Sequence, residues 1–144
     1  MGNKDTICLL KECDSGTKMA VASFDEVLER IQDSNLKNLL SESKKEHEKL
    51  GDEIHVMLRQ YGSEDKDPNP MAKGMSWLKT NMKMEMNKSD ATVADLITDG
   101  CDMGVKSLYK YLNEYAQADH TAKGLCKKLI SIEEKLEKDL HSYL

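Results

Sequence analysis

The chain has 144 residues, enough for one core that withdraws roughly 70% of the unfolded surface from water. Aromatic residues make up only 5%, charged residues 33%, and there are two prolines, a balance that suits long solvated helices and argues against a sheet protein. A net charge of −5 with no basic stripe excludes nucleic acid as a partner. No apolar run reaches the roughly 18–20 residues of a membrane span.

The start, Met1-Gly2-Asn3-Lys4-Asp5-Thr6, lacks the apolar stretch of an export signal, so a cytoplasmic protein without membrane attachment is expected. The same residues satisfy the loose Met-Gly-x-x-x-Ser/Thr pattern for N-myristoylation, a pattern so permissive that a chance match is the better reading.

The first predicted helix covers about residues 6–32, with Asp5 or Thr6 as its cap and Leu9, Cys13, Ala20, Phe24, Val27 and Ile31 recurring on one face. Asp33-Ser34-Asn35 breaks the chain and caps a second helix over about 35–61. The stripe of that helix is Leu36, Leu40, Ser43, His47, Leu50, Ile54, Met57 and Tyr61. Gly62 ends it in a left-handed cap, and Ser63 to Pro70 reads as a loop. Met71, Met75, Leu78, Met82 and Met86 then mark a shorter helix over about 70–86, with Trp77 beside the stripe. Its thioethers are read first as adaptable core filling and second as a docking groove for a partner helix.

Ser89 or Asp90 caps the next helix, about 90–117, whose inner face is Val93, Leu96, Ile97, Gly100, Cys101, Gly104, Val105, Leu108, Leu112 and Tyr115. The last helix, about 120–143, is capped by Asp119. Ala122, Leu125, Leu129, Ile132, Leu136 and Leu140 alternate along it in steps of three and four. Gly16, Gly51, Gly100, Gly104 and Gly124 all fall inside helices. Close approach of a neighbouring helix is the expected reason, and approach of a ligand to the backbone at Gly100 and Gly104 is the alternative.

Cys8, Cys13, Cys101 and Cys126 show no Cys-x-x-Cys spacing and read as free thiols that pack as small hydrophobes. No phosphate-binding loop, nucleophile elbow or Cys-His pairing is present. The alternating charge runs, such as 44–49 and 133–139, read as solvated helix faces.

The predicted class is all-α: one domain over residues 1–144, an antiparallel four-helix bundle with the methionine-rich helix in the crossover between the second and third long helices. That organisation resembles the ferritin-like superfamily. Cys13-Asp14-Ser15-Gly16, Glu46-His47-Glu48 with Gly51 and Glu53, Trp77-Leu78-Lys79, and Asp99-Gly100-Cys101-Asp102-Met103-Gly104 with Tyr109 are similar to a branch of small bacterial ferritin-like domains without an established activity.

In metal-binding members of the superfamily two helices each supply a glutamate and two supply Glu-x-x-His, because an i,i+3 pair turns both side chains to the same ions. No Glu-x-x-His occurs here. The residues three before His47, His55, His120 and His141 are Lys44, Asp52, Gln117 and Lys138. The remaining weak metal candidates are Glu46, His47, Asp102 and Glu133. Of these, His47 lies squarely on an apolar stripe, where a core histidine satisfied by hydrogen bonds is the favoured reading, and the three carboxylates read as boundary residues.

The expected protein is therefore a metal-free, cofactor-free, non-enzymatic bundle acting through its surfaces, as a homodimer or with a protein partner. The alternative is a carboxylate-bridged iron or manganese oxidase or iron-handling protein with atypical ligands.

Overall fold

The structure, a computed structural model, describes residues 2–63 and 89–144. Among these residues the chain is all-α, with four helices and no strand. Helix α1 spans Gly2–Leu28, α2 spans Ser34–Gln60, α3 spans Asp90–Glu114 and α4 spans His120–Leu140, followed by a 3-10 turn at His141–Tyr143. The predicted methionine-rich helix, with Met71, Met75, Trp77, Leu78, Met82 and Met86, lies outside the described residues. No helix among those described is long and apolar enough to cross a membrane.

Three of the four helix starts follow from a short polar side chain that accepts an otherwise unpaired backbone N–H. Asp33 accepts from the Leu36 N–H at 2.8 Å, Ser89 from Thr92 at 3.2 Å and Asp119 from Ala122 at 2.8 Å. At the end of α2, Gly62 takes φ of 69°, the Gly62 N–H reaches the Arg59 carbonyl at 2.9 Å and the Ser63 N–H reaches Leu58 at 3.0 Å. This paired closure satisfies two terminal carbonyls and needs a left-handed residue, which glycine supplies without strain.

The first helix departs from its sequence reading at both ends. It begins at Gly2 and ends at Leu28, where the pattern predicts 6–32. Asp5 and Thr6, predicted as its caps, are inside it and cap another segment. The Asp5 carboxylate accepts from the Gln117 N–H at 2.9 Å, and the Thr6 hydroxyl accepts from the Asp119 N–H at 2.8 Å. At the far end, Arg30 N–H bonds to the Val27 carbonyl at 2.9 Å, and the two oxygens of Asp90 accept from Gln32 and Asp33 at 2.9 and 2.8 Å. Each turn is thus fastened by a carboxylate from a remote helix. Ile31 lies beyond the helix and is still buried at 8% exposure.

Two apolar clusters fill the interior. One gathers Leu9, Leu10 and Cys13 of α1, Leu50, Ile54 and Leu58 of α2, Leu108 of α3, and Ala122, Cys126 and Leu129 of α4. The other gathers Phe24, Val27 and Ile31, then Leu36 and Leu40, Val93 to Cys101, and Leu136 and Leu140. Along each helix the two sets are separated by roughly two to three turns, and most of the buried polar residues fall there, Asp14 and Thr17, Ser43 and His47, and Glu133, whereas Thr6 and Thr98 lie outside that interval. Sequence periodicity places apolar residues on one face; this polar layer between the clusters positions the candidate site.

Candidate functional site

His47 is fully buried, on the stripe of α2 between Leu40 and Leu50. Its Nδ1 lies 2.7 Å from the Ser43 carbonyl oxygen one turn earlier. A carbonyl can only accept, so Nδ1 carries the proton and donates. The Phe24 ring meets the imidazole edge-on with centroids 5.1 Å apart and planes at 68°, which fixes the ring's tilt. Nε2 is therefore turned toward α4, where Glu133 Oε1 lies 3.7 Å away. That separation is within ion-pair range and too long for a hydrogen bond.

Glu133 is 8% exposed, between Ile130 and Leu136 on α4. A long carboxylate fits there because the facing helix has no side chain at Gly104: a Cβ at that position would overlap the Glu133 carboxylate. Neither Nε2 of His47 nor Oε2 of Glu133 has a hydrogen-bond partner. Leaving such groups buried and unpaired costs on the order of 1–3 kcal/mol each, so the pair is a place where folding stability is forgone.

The pair lies at the floor of a cavity of about 340 Å³ between α1 and α3. Its walls are mainly apolar, with Phe24, Leu96, Ile97, Leu129 and Leu136 inside and Met103 at the exposed rim. Tyr111, also at the wall, has its hydroxyl pushed up to about 12, by burial first and then by its hydrogen bond to Glu12.

The four sequence candidates separate. His47 and Glu133 come together. Glu46 is exposed and borders a charged surface groove between α2 and α4 with Lys49, Lys127 and Lys128. Asp102 is exposed on α3 and hydrogen-bonds Glu137, whose carboxyl it holds up to about 7, with partial burial and the Asp102 and Glu134 charges adding to the rise. Among the described residues, no group of three or more His, Cys, Asp or Glu side chains is placed to hold one ion.

Asp14, part of the Cys13-Asp14-Ser15-Gly16 stretch, is not among the metal candidates that the sequence offers. It is a carboxylate of only 1% exposure, paired with Lys18 Nζ at 3.0 Å and with His55 Nε2 at 3.2 Å. The i,i+4 spacing to Lys18 was a usable signal; the approach of His55 from α2 had none.

The glycines divide similarly. A Cβ at Gly51 would come within 3.2 Å of the Thr17 hydroxyl, so close helix packing explains that glycine, whereas one at Gly16 would make an ordinary contact with Leu129 at 3.7 Å. At Gly104 the neighbour is the Glu133 carboxylate, and at Gly100 and Gly124 a Cβ would meet nothing within 4 Å. Close helix approach, predicted for Gly100 and Gly104, does not occupy either position: Gly104 makes room for a carboxylate and Gly100 borders the cavity.

All four cysteines are free thiols, with Cys13, Cys101 and Cys126 buried. Cys126 Sγ points at the Leu108 carbonyl at 3.9 Å, and contact with Cys126 together with burial raises the Cys13 thiol well above its ordinary range. Such a thiol is a poor nucleophile.

These features define an all-helical protein with a buried imidazole–carboxylate pair beneath an apolar cavity. The chain belongs to the family described as a domain of unknown function, DUF2383, whose profile matches residues 5–114. No curated protein and no solved structure matches the chain.

Proposed function

We propose that the chain is a single-domain, antiparallel four-helix bundle of ferritin-like arrangement that binds no metal pair and acts without catalysis, as a cytoplasmic structural or interaction protein.

The link lengths support the arrangement. A helix of 27 residues, as in α1, is about 40 Å long, whereas residues 29–33 span at most roughly 18 Å when extended, too short for α2 to lie parallel beside α1, which supports an antiparallel return. Residues 115–119 constrain α3 and α4 in the same way. Residues 61–89 are long enough to traverse a whole helix, which gives the two short links and one long one of a ferritin-like bundle.

The observation that carries the functional reading is the composition of the polar layer. A dimetal centre of this superfamily draws four carboxylates and two histidines inward. Here the layer offers His47 and Glu133, turned toward each other, while Asp14 is engaged by Lys18 and His55. Those residues do not fit two ions. Association with a second copy or another protein is supported by Met103 and Tyr109, large side chains on α3 about half exposed at 55% and 49%.

Elemental analysis of protein purified without chelators or affinity metals tests the reading: trace metal is expected, and near-stoichiometric iron or manganese would overturn it. Sedimentation at micromolar concentration tests association, with a strictly monomeric chain counting against a homodimer.

A further inference from the structure

We propose that the cavity above His47 and Glu133 is a binding site for a small organic amine: a primary ammonium group on an apolar, aromatic or branched body. The inference rests on the metal-free reading of this pair and names what the pair recognises.

Because His47 Nδ1–H donates to the Ser43 carbonyl, Nε2 is the ring nitrogen left to accept. Glu133 adds two carboxylate oxygens. The floor of the cavity therefore carries the negative charge of Glu133, which keeps 8% exposure, while Nε2 and Oε2 behind it are buried and have no partner within the protein. Two other polar groups at the wall are already engaged, the Ser23 hydroxyl donating to the Met19 carbonyl at 2.9 Å and the Tyr111 hydroxyl bonding Glu12, and Ser107 stands at the exposed side. A primary ammonium supplies the positive charge and the hydrogen-bond donors that this carboxylate lacks.

Size and lining define the rest of the ligand. The cavity, about 340 Å³, is more than twice the roughly 150 Å³ void that accommodates benzene in an engineered protein interior. Its walls of Phe24, Leu96, Ile97, Leu129 and Leu136 suit an apolar body, and a bound carboxylate or phosphate would face Glu133. The two glycines of α3 divide the work: Gly104 admits the Glu133 carboxylate, and Gly100, with nothing within 4 Å of a Cβ, leaves space for the ligand.

The test is titration of the full chain, with its metal content measured, using 2-phenylethylammonium chloride and its neutral counterpart 2-phenylethanol, followed by calorimetry and by the His47 ring resonances. Saturable one-to-one binding is expected, at least about tenfold tighter for the ammonium. Glu133→Gln should reduce the ammonium to the affinity of the alcohol while circular dichroism is unchanged. Gly100→Leu, which fills the cavity and favours helix, should abolish binding of both probes without lowering the melting temperature. Equal affinity for the two probes, a preference that survives Glu133→Gln, binding that survives Gly100→Leu, or no saturable binding overturns the inference. If the protein is metal-free when that happens, the reading as a metal-free bundle stands; a metal-loaded pair overturns both.

Discussion

At the residue scale, Gly104 and Glu133 act as one unit. Gly104→Ala forces the Glu133 carboxylate out of its place and is expected to destabilise the protein by about 1 kcal/mol, the low end of overpacking costs, because the clashing atom ends a flexible side chain that borders the cavity. In a Glu133→Ala background the same change should cost much less, because the obstructing group is gone; equal losses in urea denaturation of both backgrounds would disprove the coupling. Gly100→Ala, which meets nothing within 4 Å, should stabilise the chain by about 0.5–1 kcal/mol through helix propensity alone. Glu133 shows what a pattern can miss. It sits at the edge of the apolar stripe of α4 and resembles a boundary residue; only the missing side chain on another helix draws it inward, and that pairing lies outside any single-helix periodicity. His47 was legible because its whole stripe is apolar.

At the scale of elements, the helix starts were legible where one side chain decides them locally. Asp33, Ser89 and Asp119 cap α2, α3 and α4 as the sequence implies. The bounds of α1 were not, since Asp5, Thr6 and Asp90 bond to segments 57 to 113 residues away, and a capping residue looks the same in sequence whichever backbone it serves.

Asp119 is both cap and junction. The Tyr61 hydroxyl donates to it, and this bond first, then the Ala122 N–H, hold its carboxyl below the ordinary value near 3.8. A lowered folded value means stability present above about pH 4 and lost as pH falls through the folded value. Tyr61→Phe should therefore lower stability at neutral pH and flatten the acid limb; an unchanged denaturation midpoint at both pH values would refute this. Asp119→Ala, which also removes the cap, should cost about 1 kcal/mol or more. Glu137 has the opposite sign. Its hydrogen bond to Asp102 raises it from 4.5 to about 7, so its contribution is full below about pH 4.5 and is lost as pH rises through 7. Asp102→Asn should remove that decline, seen as a flatter melting temperature between pH 5 and 8.

At the scale of the molecule, the all-helical class was legible because charge, few aromatics and three- or four-residue spacing agree with one another. The two apolar clusters follow the predicted stripes closely: Leu36, Leu40, Leu50 and Ile54 on α2, and Ala122, Leu125, Leu129, Leu136 and Leu140 on α4 are all buried. Less legible was the division of that interior by a polar layer, because each helix contributes at most two of its members and only their assembly makes a layer. Leu58→Ala and Leu40→Ala, one in each cluster and both essentially unexposed, should each cost about 2–5 kcal/mol. If the clusters melt together, both substitutions will shift one common transition, and separate transitions in calorimetry would show that the polar layer uncouples them.

The reciprocal fastening of the turns bears on how the chain comes into being. The bend between α1 and α2 lacks the carboxylate that closes it until residue 90 has left the ribosome, and the bend between α3 and α4 is closed by Asp5 and Thr6, made more than a hundred residues before it. Early helices thus wait for late ones to complete their corners. Co-translational pulling measurements should show the decisive gain in force only as α3 and α4 emerge, rather than stepwise with each helix.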